Sequence, residues 1–308
     1  MSFSLRVPLI VLLGLGLAGC AGGAGTATPQ ACSVTKAAEI PVTIDRGFIT
    51  VAASINNKPV TMIVDTGAEG LLVTPSAMAS LALSADRHRR TTIQGTGGSI
   101  ATQNAALQSF GIGTMEMLDQ SASVGPLPAE GPALHASGLI GTDWLSDFDV
   151  EFDLPHHRMA LYRVHGCADG YIPWSGPSTS VRVQLYGRGL PLVPVKLDGQ
   201  PLTALLDSGA VRSSIGRTAA EHMGLTQAKL AADPRARSSG VDGAQLESYL
   251  HRFGELQVAE AHETNPALLV SNLHVRIADM LLGADWLQHN RVWIAYGARK
   301  VTIQPAQP

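Results

Sequence analysis

Short apolar or alternating runs, separated by Gly, Pro, Asn and Asp, recur along most of this chain and predict short strands rather than long helices. Phe48 to Ile55 reads as a strand, Asn56-Asn57 as a turn, and Val60 to Val64 as a returning strand that ends at Asp65. Gly67 permits a tight backbone path beyond it. Leu71 to Val73 leads to a predicted helix from Pro75 to Leu83, with proline in the first turn, where its missing N–H costs nothing. The second half repeats the order. Pro191 to Leu197, a turn at Asp198-Gly199 and Leu202 to Leu206 end at Asp207, and a helix is expected around Thr218 to Met223.

The repetition extends to residue identity. Ile63-Val64-Asp65-Thr66-Gly67-Ala68 and Leu205-Leu206-Asp207-Ser208-Gly209-Ala210 stand 142 residues apart, and Pro59/Pro201, Leu83/Leu225, Gly141/Gly283, Asp143/Asp285 and Trp144/Trp286 keep that offset. One domain is written twice, and each copy carries an aspartate at the same place. Each copy also has a later aliphatic pair and glycine, Leu139-Ile140-Gly141 and Leu281-Leu282-Gly283. Between lie Gly95-Thr96-Gly97-Gly98 and Gly240-Val241-Asp242-Gly243, flanked by strand-like sequence and by neither the helix nor the lysine of a phosphate site.

Composition supports the all-β reading, with 32 glycines and 18 prolines in 308 residues. A formal charge of −3 and no long basic cluster give no support to nucleic-acid binding. The apolar stretch Val7 to Leu17, preceded by Arg6, is too short to span a bilayer and has the form of a signal peptide. It ends in Leu17-Ala18-Gly19-Cys20, which resembles the bacterial lipobox, although its small residues also suit ordinary secretory cleavage. The expectation is lipidation at Cys20 and a periplasm-facing envelope protein, with the outer membrane favoured because Ala21 is no retention aspartate. Cys32 and Cys167 lie outside the repeats; after export they are either bridged or two free thiols. No cluster with metal-ligand spacing appears, and no cofactor is implied.

Taken together, the paired hydrophobic-Asp-Thr/Ser-Gly-Ala runs and later aliphatic-Gly elements resemble the retropepsin-like aspartic peptidases over about residues 45–163 and 178–305. The resemblance implies an all-β protein of two tandem β-barrel lobes about a pseudo-twofold. The division is residues 1–19 as leader, 20–44 as lipidated tether, 45–163 as first lobe, 164–177 as linker and 178–308 as second lobe. It also implies an endopeptidase acting on extended polypeptides, with Asp65 and Asp207 catalytic and Thr66, Gly67, Ser208 and Gly209 supporting their loops. Gly95, Gly97, Gly98, Gly240 and Gly243 become flap residues, or else simple surface turns; the tyrosine of pepsin-like flaps is missing between Thr91 and Asn104. Both aspartates lie in one chain, so a monomer suffices. Asp143 and Asp285 read as helix-start acceptors of backbone N–H, and Trp144 and Trp286 as core anchors. The alternative is an envelope lipoprotein that binds peptide or cell-wall material on this fold without cutting it.

Overall fold

In the first half the strand Lys58–Val64 runs parallel to Gly138–Ile140, pairing Met62 with Gly138 and Val64 with Ile140. In the second, Gln200–Leu206 runs parallel to Met280–Leu282, pairing Ala204 with Met280 and Leu206 with Leu282. These are the same pairs displaced by the offset of the sequence repeat. Parallel strands are covered on both faces, so Met62-Ile63-Val64 and Ala204-Leu205-Leu206 are buried at every position instead of alternating. The computed structural model describes residues 32–95, 98–127, 135–167, 172–239, 245–273 and 275–305. Cys20, Gly97, Gly240 and Gly243 lie outside the described residues. The expected all-β, two-lobed architecture is present, with helices of one to two turns.

The lobes share a sheet. Asp149–Asp153 of the first pairs antiparallel with Asn290–Ala295 of the second, and their partners Arg158–His165 and Lys300–Pro305 extend the sheet on either side. Glu151 pairs with Trp293, its own counterpart in the repeat, so the pseudo-twofold passes through that pair. Val150, Phe152, Met159, Leu161, Val292 and Ile294 alternate onto one face and enter the main core. On the other face Glu151 is wholly buried and accepts hydrogen bonds from Arg291 Nε (2.8 Å) and Tyr162 Oη (2.8 Å). A buried carboxylate is tolerated only with such partners. Here the principal one comes from the other lobe.

Two boundaries differ from the sequence expectation. The tether placed over 20–44 becomes, from Ser33, the strand Ser33–Asp45, which pairs with Arg158–His165 and then with Phe48–Ile55. Ala38, Ile40 and Val42 alternate inward and bury, which outweighs the Ala- and Thr-rich composition. The linker is also packed. Ile172 and Trp174 cover Trp293 and Tyr162, with Trp174 edge-on to Trp293 at 6.0 Å and the Arg291 guanidinium 4.5 Å above the Trp174 ring. A Cys32–Cys167 disulfide ties the start of the first strand to the linker. The two expected helices are Pro75–Ser80, shorter than expected because Ala82 turns left-handed at φ 55°, and Arg217–His222; one-turn helices also form at Thr142–Leu145, Gln227–Leu230 and Ala284–Leu287.

The bridge closes a separation of 135 residues, so Cys32→Ser should lower stability by about 2–4 kcal/mol, read as an earlier urea midpoint. A pH effect is expected at the shared sheet. Burial raises Asp149 to about 6, against the opposing hydrogen bond from Trp293 Nε1 (3.2 Å). A carboxyl raised in the fold contributes stability that is full below about pH 4 and is lost as pH rises through about 6. Asp149→Asn should remove that part of the slope, about 1–2 kcal/mol after screening by the water that still reaches the group. Parallel melting curves of variant and wild type between pH 4 and 8 would refute this.

Candidate active site

Each lobe delivers its aspartate at the end of a buried strand. Asp65 N–H donates to the Ile140 carbonyl (3.0 Å) and Asp207 N–H to that of Leu282 (2.8 Å), so each aliphatic-Gly strand backs its aspartate loop. Thr142 N–H bonds Ala68 O (2.8 Å) and Ala284 N–H bonds Ala210 O (2.7 Å). Gly141 and Gly283 are required by this contact. A Cβ on Gly141 would lie 2.5 Å from Gly70 N, and one on Gly283 2.7 Å from Ala210 O.

The loops then lock across the junction. Thr66 N–H donates to Ser208 Oγ (2.9 Å) and Ser208 N–H to Thr66 Oγ1 (3.0 Å). Each hydroxyl donates onward to the strand of the opposite lobe, Thr66 to Leu206 O (2.6 Å) and Ser208 to Val64 O (2.7 Å). Both side chains are fully buried, so every one of these groups depends on the other lobe.

The lock brings Asp65 and Asp207 into hydrogen-bond contact with each other. Asp65 Oδ1 accepts from Gly67 N–H (2.8 Å), and Asp207 Oδ1 from the N–H groups of Gly209 and Ala210 (both 3.0 Å). Each glycine also faces the opposing carboxyl. A Cβ on Gly67 would sit 2.4 Å from Asp207 Cγ, and one on Gly209 2.3 Å from Asp65 Cγ. Burial, and then the charge of Asp207, push Asp65 well above the ordinary carboxylate range; burial also raises Asp207, while its bond to Asp65 pulls it down. Two half-buried carboxyls in contact cannot both carry charge cheaply, which favours one proton held between them. Such a pair can act as base and acid at once.

Apolar side chains flank it on both sides at the repeat offset. Phe48, Ile63 and Leu139 cluster beside Ala68, and Leu190, Leu205 and Leu281 beside Ala210. The hairpin Ser84–Gly95/Gly98–Ile112 is anchored here, with Ile93 packed into the first cluster. Gly95 and Gly98 pair at its end. In the second lobe Arg235–Ser239 and Gln245–Arg252 pair as the corresponding stem. Glu69 and Val211 reach across to the other lobe: Glu69 Oε1 accepts from Arg188 N–H (3.3 Å), and Val211 fills the space a side chain on Gly47 would need.

Asp143 and Asp285 stand apart from the pair, and they do more than the helix-start expectation requires. Gly141 and Gly283 hold the cap positions, and Asp285 Oδ1 accepts the N–H of the next helix residue, Trp286 (2.8 Å), as expected of a helix-start acceptor. Asp143 Oδ2 accepts from Leu71 N–H (3.1 Å), and Asp285 Oδ1 from Ser213 N–H (2.8 Å) and Ser213 Oγ (2.7 Å). They hold the chain beyond each aspartate loop. Ser213, which also accepts from Gly283 N–H (2.9 Å), was not singled out from sequence; the signal was a serine where the first lobe has Leu71.

A family model described as aspartyl protease matches residues 51–144 and again 193–286, more than half of the chain and at the offset of the repeat. The chain belongs to the aspartyl protease family. It is a tandem-duplicated, retropepsin-like aspartyl protease, and each matched stretch contains one aspartate loop and its backing glycine. No curated protein matches it.

Loss of the lock in this aspartyl protease should be costly. Thr66→Ala leaves the Ser208 N–H and the Leu206 carbonyl buried without a partner, a loss of about 2–4 kcal/mol. Thr66→Ser, which copies the hydroxyl of the second lobe, should retain most of it. Equal urea midpoints for Thr66→Ala and wild type would contradict this account.

Proposed function

We propose that this protein is an active aspartic endopeptidase that hydrolyses extended polypeptides with water activated between Asp65 and Asp207. The observation that carries the reading is the contact between two carboxyls, one from each lobe, each facing the glycine of the other's loop. The ionised carboxyl takes a proton from the water as its oxygen attacks the peptide carbonyl carbon. The protonated carboxyl donates to the carbonyl oxygen, giving a neutral tetrahedral diol. A proton then passes to the amide nitrogen, the C–N bond breaks, and acid and amine leave with the pair again holding one proton. No covalent enzyme intermediate forms.

An extended substrate satisfies its backbone along strand edges and places alternate side chains on either side. The clusters around Phe48 and Leu190 offer apolar ground for them. Both carboxyls belong to one chain, so one copy suffices. The shared proton is held above the ordinary carboxylate range, so activity extends from acid towards neutral pH and falls once the pair loses it.

The mature protein incubated with a diverse peptide mixture between pH 4 and 7 should cleave it. Asp65→Asn and Asp207→Asn should each lower the rate at least about 10³-fold with the fold retained. Undiminished cleavage by either variant excludes the pair as the catalyst, and no cleavage by wild type favours a binding role.

A further inference from the structure

Behind the Asp-Trp-Leu element the first lobe builds a ring stack on Trp144, and among the described residues no ring stacks on Trp286. Trp144 meets Phe110 edge-on at 6.3 Å and Phe148 at 5.4 Å, and the Arg163 guanidinium lies 5.4 Å from the Phe148 ring centre. Strand register identifies the counterparts. The pair Asp149/Tyr162 recurs as Arg291/Gln304, which sets Phe148 against Asn290 and Arg163 against Pro305. The hairpin pair Phe110/Met117 recurs as Leu256/Glu263, two places from the last paired residues in both lobes. Each of these residues around Trp286 is thus smaller or more polar than its counterpart around Trp144.

The space left is a cavity of about 210 Å³, lined by Leu256, Trp286, Asn290 and Pro305 together with His262, Glu263 and His289. Hydrogen bonds outside the cavity occupy one nitrogen of each of its histidines. His289 Nδ1 bonds the Asp285 carbonyl (2.8 Å), which can only accept, so that nitrogen carries the proton and Nε2 of the neutral ring keeps a lone pair. His262 Nδ1 bonds the Glu255 carboxylate (2.9 Å) with the same consequence. Glu263 adds a carboxyl, and no lysine or arginine enters the lining. Among the described residues no three ligating side chains gather to hold a metal ion.

We propose that this cavity is a binding site for a guanidinium group, occupied by an arginine side chain of a peptide or protein partner. The volume suits one side chain, the acceptors suit a flat donor-only cation, and in the first lobe the register counterpart of Pro305 is Arg163, whose guanidinium lies over Phe148. The site is separate from the catalytic pair and does not depend on peptide cleavage.

Titration of the intact protein with N-acetyl-arginine amide, followed through the ring resonances of His262 and His289, tests it. Saturable shifts at those rings are expected, weakened at least about 10-fold with the uncharged N-acetyl-citrulline amide and in Glu263→Gln. Installing the first-lobe residues, Asn290→Phe with Pro305→Arg, should abolish them. Equal binding of the citrulline probe, unaltered binding by the isosteric Glu263→Gln, or no saturable shift in wild type would overturn the proposal.

Discussion

Thr66 and Ser208 each donate a backbone N–H to the other's hydroxyl, and each hydroxyl donates a hydrogen bond to a carbonyl of the opposite lobe. Two like carboxyls do not come together of their own accord. Burial opposes it for both carboxyls, and the charge of Asp207 opposes it further for Asp65. The crossed bonds offset that cost because they lie out of water and cannot be replaced one at a time. Gly67 and Gly209 then become obligatory, since any side chain there would occupy the space of the opposing carboxyl.

A second contact on the same axis supports the first. The shared sheet pairs Glu151 with Trp293, and its inner face joins both lobes in one apolar core. Its other face carries the Glu151–Arg291 pair under the linker tryptophan. The strand Ser33–Asp45 and the disulfide close the edge of this sheet, so the segments before and between the repeats act as structure.

At the aspartate loops the two copies stay alike, because Thr66 and Ser208 bond each other and each glycine faces the opposing carboxyl, whereas the Glu151/Trp293 pair on the same axis has diverged. Away from the axis they separate further. Glu69 and Val211 make different contacts with the opposite turn, and a completed ring stack around Trp144 becomes a cavity beside Trp286. The duplication thus supplies a symmetric centre and leaves the periphery free to acquire distinct surfaces.

Much of this was legible in the chain. Strands of period two or of unbroken apolar residues, glycines at obligate close approaches and two aspartates at one offset are local signals, and local signals repeated in register identify the lobes and the pair. The strand at Ser33–Asp45 was partly visible in the alternation of Ala38, Ile40 and Val42, but composition obscured it. The partner of Glu151, the reach of Glu69 to Arg188, the bonds of Asp143 to Leu71 and of Asp285 to Ser213, and the cavity beside Trp286 had no local signature. Each depends on segments separated by 70 residues or more, or on a side chain missing from a stack. Periodicity reports which face of a strand is buried. What lies against that face is decided when the two copies fold onto one axis.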